Sequence, residues 1–401
     1  MKKILIFSLA YFPKHVGGAE IAIKEKTDRM PEHEFHMVTL RYDSTLPKME
    51  KIGNVLVHRI GFARKNPTMA DLRRFPLHFN KHLFQVLAAW KALSLHRRYH
   101  YDAIWAMMAH SCGIPAAIFK SFHPKVPFVL ELQEGDPPEH IERMMRPVWP
   151  LFRRAFTSAN AVSVISAFLG KWARRRGFLG PVELVPNAVD IQHFSKSYSE
   201  AEIKEIQARL GKKEESVFVI TTSRLVHKNA VDDILRALPL LPENIYFIIL
   251  GIGPDESMLK GLAKELNVEG RVKFIGQIGH AELPKYLKAC DIFIRASRSE
   301  GMGNSFVEAM AAGLPVIATQ EGGIADFLFD PERNPDREPT GRAVLPNDPA
   351  GIARAVRLIL EDPATTKKMV ENAKKMATEK YDWGLIARQM KERVFDTLLS
   401  K

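Results

Sequence analysis

The chain has 401 residues, 46% of them hydrophobic and 26% charged, with 58 Lys+Arg against 46 Asp+Glu and two cysteines. That length supports two domains with full hydrophobic cores, and the composition excludes a disordered polyelectrolyte, a peptide-sized module and a polytopic membrane protein. The net charge of +12 is unevenly placed: residues 1–200 carry 29 Lys+Arg and 17 Asp+Glu, the remainder 29 and 29. A basic half joined to a neutral half points to two tasks, the first half meeting lipid headgroups, a phosphorylated substrate or nucleic acid. Solubilising surface charge is the plainer alternative.

The start, Met1-Lys2-Lys3 before an apolar run to Phe12, imitates a signal peptide. It continues into Pro13-Lys14-His15-Val16-Gly17-Gly18 without a small-residue cleavage site and reads as a buried strand. Strand-length apolar runs follow at 35–40, 55–60, 103–106, 127–132 and 161–165, then at 217–222, 245–250, 272–275, 292–294 and 315–318. Amphipathic stretches of helix length separate them, which predicts parallel sheets covered by helices on both faces. Between the two sets, Pro186-Asn187-Ala188-Val189-Asp190 and the residues to Ser199 read as a linker, and a helical pattern restarts at Ala201. The tail from Pro363 reads as two helices broken near Tyr381-Asp382-Trp383-Gly384, with Asp382 as N-cap of the last. Cys112 and Cys290 are far apart in apolar segments, so neither a disulfide nor a cysteine zinc site is expected, and a reducing cytosol is. No run reaches the roughly 18 apolar residues of a membrane span.

Ligands of such sheets bind beyond the carboxyl ends of the strands. There, after the strand at 292–294, comes Ser297-Arg298-Ser299-Glu300-Gly301-Met302-Gly303-Asn304, then a helix from about Ser305 that Gly313-Leu314-Pro315 stops. Loop amides and the positive helix end make a concavity for phosphate. Glu300 in the loop and Glu308 in the first turn border that site. A carboxylate beside phosphate is useful if it accepts hydrogen bonds from sugar or ribose hydroxyls; the alternative is an ordinary helix-start carboxylate.

This stretch resembles the Glu-x7-Glu motif of family-4 retaining glycosyltransferases, which have the two-domain GT-B fold. The resemblance spans nearly the whole chain: Gly17-Gly18-Ala19-Glu20, Pro186-Asn187-Ala188-Val189-Asp190, Ser223-Arg224-Leu225-Val226-His227-Lys228-Asn229, Gly251-Ile252-Gly253-Pro254 and Glu321-Gly322-Gly323 occur in the family's order. It implies that Arg224 and Lys228 hold the diphosphate of a UDP- or GDP-linked sugar, Glu308 the ribose and Glu300 the transferred sugar. Gly301, Gly303, Asn304 and Ser305 would lie along the donor, and Gly17 and Gly18 would let backbone approach the phosphates. Fixed cations there would stabilise the charge that grows on the leaving diphosphate.

The chain departs from the family in Asn229 after the motif lysine, Ala188 for the usual glycine, Met302 for an aromatic, and most of all Gln133 where the family commonly has an active-site histidine. Front-face substitution, in which the departing phosphate oxygen takes the acceptor's proton, needs no general base. Gln133 is then a candidate to meet the reacting sugar, and Glu134 or Asp136 to orient the acceptor; the alternative is that 134–137 is a plain turn. His110 is a further pocket candidate. There is no Asp-x-Asp, and His78 and His82 lie among apolar residues of an ordinary amphipathic helix, so no metal is expected.

Cations alternate with aromatics and Met in 73–98, 143–156 and 171–178. Such stretches suit an anionic bilayer surface, and buried helix faces flanked by solvated charge explain the same letters equally well. The expected molecule is an α/β GT-B protein with two Rossmann-like domains facing a cleft. Residues 1–195 would bind the acceptor, 200–380 the nucleotide sugar, and a helix at about 382–401 would pack back on the first domain. Its expected activity is retaining hexosyl transfer to a hydroxyl acceptor, lipid-linked or part of a cell-envelope glycan, on the cytosolic face, with no nucleic acid, metal or cofactor. A soluble transferase acting on a small metabolite, and a nucleotide-sugar-binding protein without transferase activity, are the alternatives.

Overall fold

The computed structural model describes residues 1–14, 16–68 and 71–400, with the side chain of Arg73 also outside the described set. His15 of the Gly-Gly loop and the Arg73 side chain of the first basic stretch therefore lie outside the described residues. The chain forms two compact units, Met1–Asn187 with Trp383–Lys401, and Ala188–Asp382.

The first unit holds an eight-stranded sheet of β1 (Lys2–Phe7), β2 (His33–Leu40), β3 (Met49–Ile52), β4 (Val55–Ile60), β5 (Ala103–Met107), β6 (Phe128–Leu132), β7 (Ala161–Val164) and β8 (Val182–Leu184). Their order is β3-β4-β2-β1-β5-β6-β7-β8, parallel except for the antiparallel edge pair β3 and β4. The apolar run after Met1-Lys2-Lys3 is this sheet's central strand, with Ile4 to Phe7 fully buried. Continuous apolar runs without alternation are what a strand covered on both faces requires. β3 and β8 were not visible as apolar runs because Met49-Glu50-Lys51-Ile52 and Val182-Glu183-Leu184 are edge strands open to solvent.

The second unit holds a six-stranded, all-parallel sheet, β9 (Val217–Thr222), β10 (Ile245–Leu250), β11 (Val272–Gly276), β12 (Ile292–Arg295), β13 (Val316–Thr319) and β14 (Arg342–Val344), in the order β11-β10-β9-β12-β13-β14. Its core runs from Phe247 and Ile249 through Ile292 and Ile294 to Ile352 and Val356, all nearly solvent-free.

One boundary differs from the sequence reading. Residues 188–195, read as the end of the first domain, belong to the second unit: Val189 donates its N–H to the Tyr381 carbonyl at 2.9 Å, and Ile191–Ser195 is a short helix that buries Phe194. The expected linker is thus packed structure, because Ala188, Val189 and Phe194 all have apolar surface to hide. The tail is two helices broken at Tyr381 and Asp382, as expected: Pro363–Lys380, and then an unbroken run from Trp383 to Leu399 whose turns widen over Met390–Asp396. Residues from Trp383 pack on the helix Gly18–Asp28 of the first unit, where Phe395 meets Phe35 and Trp105 at ring distances of 6.4 and 5.5 Å. Among the described residues no helix is long and apolar enough to cross a membrane.

Candidate active site

In the second unit the loops after β9, β10, β12 and β13 meet at the carboxyl edge of the sheet. β9 ends at Thr222, and Ser223 and Leu225 donate to the carbonyls of Leu250 and Ile252 at 3.0 Å each, zipping the Arg224 loop to the glycine loop after β10. The exposed Arg224 precedes a short turn at His227–Asn229, whose middle residue is the half-buried Lys228. Asn229, the departure from the family's glycine, is buried: its Nδ2 donates to the Arg224 carbonyl at 2.6 Å and its Oδ1 accepts from Arg295 Nη2 at 2.9 Å.

Arg295, the last residue of β12, organises this edge and was not singled out from the sequence. Beyond Asn229 it donates from Nη1 to Ser305 Oγ at 2.9 Å and from Nη2 to the Glu300 carboxylate, and its guanidinium lies 5.2 Å from the Phe306 ring centre. Only about a tenth of either side chain in the Arg295–Glu300 pair is exposed. A cation ending an apolar strand was the available signal. Arg298, the second residue missed, ties the same loops from outside. Its N–H donates to the Lys228 carbonyl at 2.7 Å, and its guanidinium bonds Asp232, Asp233, Asn347 and the His227 carbonyl. Those bonds outweigh the burial that opposes ionisation of Asp232 and hold its carboxyl below the ordinary value.

The helix Asn304–Ala312 begins behind Gly303 with no side-chain cap; the Phe306 N–H bonds back to the Gly303 carbonyl at 3.2 Å, and Gly301 and Gly303 lead into the positive end of the helix. Glu308 is its fifth residue rather than part of the first turn, and so does not serve as an N-terminal cap. Burial pushes the Glu308 carboxyl up to about 7, partly opposed by Arg295. His280, also missed, holds Nε2 at 4.0 Å from Glu308 Oε1, and the His193 ring stacks on it at 5.1 Å. On the other side of the loop, Gly322 has φ +60 and a Cβ there would lie 1.9 Å from the Glu300 carbonyl oxygen; Gly323 donates to that oxygen at 3.2 Å. The Glu321-Gly322-Gly323 motif thus supports Glu300 from below. Arg224, Lys228, Glu300, Gly301, Gly303, Asn304, Ser305 and Glu308 all lie on these converging loops and the helix that follows them.

In the first unit the candidates sit after β1 and β6. Gly17 and Gly18 are exposed at the start of the helix Gly18–Asp28, where the Gly17 N–H donates to Glu20 Oε2 at 2.9 Å. Asp136 is exposed beyond β6. Gln133 is turned inward: its Oε1 accepts from Asn187 Nδ2 at 2.8 Å, and its Nε2 donates to Glu131 Oε1 at 2.7 Å and Asn187 Oδ1 at 2.9 Å. Glu131 in turn accepts from Lys26 Nζ at 2.6 Å and Trp105 Nε1 at 3.0 Å, in a fully buried set. The side chain that replaces the family's histidine is therefore the outer member of an internal network, with its carbonyl already engaged. Glu134 is no part of a plain turn and does not reach outward, because its buried carboxylate accepts from the N–H groups of Ala109 at 2.6 Å and Gln133 at 3.0 Å. His110 Nδ1 stands 3.5 Å from that carboxylate. The two cysteines are free and buried, and no group of three or more metal-ligating side chains occurs among the described residues.

Residues 16–193 match the family model described as Glycosyltransferase Family 4, and residues 202–376 that of Glycosyl transferases group 1. A glycosyltransferase of Methanocaldococcus jannaschii is 25% identical over 96% of both chains. A GDP-mannose-dependent alpha-(1-6)-phosphatidylinositol monomannoside mannosyltransferase of Mycobacterium tuberculosis is 28% identical over 60% of this chain and 63% of its own. Among solved structures, a sucrose-phosphate synthase of Thermosynechococcus elongatus superposes with a TM-score of 0.81 over 100% of both chains at 21% identity. HepE of Anabaena, in complex with UDP-glucose, does so with 0.76 over 99% of this chain and 100% of its own at 22% identity. With a family-4 domain, a group-1 domain and this architecture in one chain, the protein is a two-domain glycosyltransferase of the GT-B fold.

Proposed function

We propose that the protein transfers a hexose from a nucleoside-diphosphate sugar, with retention at the anomeric carbon, to a hydroxyl of a lipid-linked or cell-envelope glycan acceptor. The observation that carries this reading is the convergence of Arg224, Lys228, the uncapped start of the helix Asn304–Ala312, Glu300 and Glu308 at one sheet edge. Cations and the positive end of a helix without a side-chain cap suit a diphosphate, and carboxylates suit sugar and ribose hydroxyls. In the reaction the bond from the anomeric carbon to the diphosphate oxygen breaks. The acceptor oxygen bonds to that carbon on the same face, and its proton passes to the departing phosphate oxygen. Arg224, Lys228 and the amides bind the charge that accumulates there, and Glu300, held by Arg295, orients the sugar. The inward bonds of Gln133 favour a route without a side-chain base. The relative that acts on a phosphatidylinositol monomannoside supports a lipid-borne acceptor, and the same relative together with the UDP-glucose complex of HepE supports a nucleotide-sugar donor.

A thermal-shift screen against UDP- and GDP-sugars tests the donor half: at 100 times its dissociation constant a ligand stabilises by about 2.7 kcal/mol. Glu300→Ala is expected to cut transfer at least a hundredfold while the chain stays folded. Full turnover in that variant, or no shift with any nucleotide sugar, would remove the assignment.

A further inference from the structure

The helix Asn80–Tyr99 is apolar on two opposite faces. Phe84, Ala88, Ala92 and Leu95 are buried against the sheet. One step round the helix, Leu83, Val86, Leu87 and Trp90 are 37%, 51%, 41% and 71% exposed, and Phe122 on the neighbouring helix Ile114–Phe122 is 67% exposed. A soluble surface helix carries one apolar stripe, and a helix apolar all round belongs in a core or a membrane. Here the second stripe is open to solvent.

The charge around the stripe says what covers it. From residue 72 to residue 101 there is no Asp or Glu, while six Lys and Arg occur, among them Lys81, Lys91, Arg97 and Arg98 on this helix. Across the whole first unit the count is 32 Lys+Arg to 17 Asp+Glu, against 26 to 29 in the second. The other basic stretch, 143–176, answers part of its charge internally: Glu142 accepts from Trp172 Nε1 at 2.8 Å and pairs with Arg176, which lies over the Trp149 ring. The helix Asn80–Tyr99 has no such acid in its own segment. A two-fold dimer through this face would set one cationic rim against its copy. An anionic bilayer meets both features at once, taking Trp90 and the leucines at the level of the headgroups and pairing the cations with lipid phosphate.

We infer that the outer face of the helix Asn80–Tyr99 docks the protein on an anionic phospholipid surface through Leu83, Val86, Leu87 and Trp90. This deepens the proposed function, since it brings the acceptor half to the lipid. Flotation of the full chain with vesicles of phosphatidylcholine, with and without phosphatidylglycerol, tests it. The wild-type protein is expected to float with the anionic vesicles and to lose that binding at high salt. Leu87→Glu with Trp90→Glu is expected to lower the bound fraction at least tenfold, and Lys91→Gln with Arg97→Gln and Arg98→Gln to abolish the preference for anionic lipid. The thermal shift with nucleotide sugars should be unchanged in both variants, which also reports that they are folded. No flotation of the wild type, equal flotation of the Glu variant, or a concentration-dependent dimer that the Glu variant dissolves would overturn the inference. Flotation without any donor shift would instead refute the proposed function and leave the docking face standing.

Discussion

Glu308 combines a burden and a use in one carboxyl group. Burial raises its pKa to about 7, so at low pH it is neutral and at pH 8 it is charged in a poorly solvated place. A folded-state value above the unfolded one means that the stability it permits is complete below the ordinary value of 4.5 and is lost as pH rises through about 7. Glu308→Gln, neutral throughout, should therefore match the wild type in melts near pH 4 and exceed it by about 3 kcal/mol at pH 8. Donor affinity should move the opposite way in the wild type, growing as the carboxylate forms, and should be flat in the variant. Parallel pH profiles for the two proteins would contradict the placement of Glu308. The motif spacing made Glu300 and Glu308 legible in the sequence. The environment that separates them, an ion pair for one and burial for the other, depends on Arg295 and on the packing of the helix.

At the scale of elements, strand ends and loops hold the site together by close backbone approach. Gly251 has φ +145, and a Cβ there would lie 1.8 Å from the Ser223 carbonyl oxygen, one residue before Arg224. Gly251→Ala is expected to cost about 3 kcal/mol in denaturant unfolding and to weaken donor binding as the Arg224 loop shifts; a variant with wild-type midpoint and affinity would show that the two loops are not coupled. The Gly-x-Gly was readable as one of the family's motifs, and its tight contact with another loop was not. Buried strands were equally readable, because a run such as Ile245–Leu250 has no polar face to confuse. The edge strands β3 and β8 were not, since they are short and partly solvated, and neither was β14, whose three residues Arg342-Ala343-Val344 are largely buried but too few and too polar to read as an apolar run. Asn80–Tyr99 was legible as a helix, but a one-sided amphipathic pattern was the wrong expectation, since its outward face is apolar too.

For the whole molecule, the first unit is closed by the end of the chain. Ile386, Met390, Val394 and Phe395 are fully buried, and Phe395 meets Trp105 on the central part of the sheet. Each such side chain contributes about 1.5–3 kcal/mol by burial, together comparable to the 5–15 kcal/mol by which a domain is stable. Removing residues 383–401 is therefore expected to abolish the calorimetric transition of the first unit while that of the second persists; two intact transitions would show that the tail is dispensable.

Residue order alone reveals whatever repeats locally: the alternation of strand and helix, the order of the glycine, Arg-Lys and Glu-x7-Glu motifs, and the uneven charge. Which distant side chains complete one another emerges only from packing in three dimensions. Lys26 reaches Glu131 across 105 positions, Arg295 reaches Asn229 across 66, and Gln133 pairs with Asn187 across 54. Such partners follow from how sheets and helices pack, because a hydrogen bond depends on positions in space to within a few tenths of an ångström, whereas periodicity records only which face of one element is apolar. That difference is why the sequence offered Gln133 as a candidate for the reacting sugar but not its bonds to Glu131 and Asn187, and why Arg295, which holds Glu300, was not singled out.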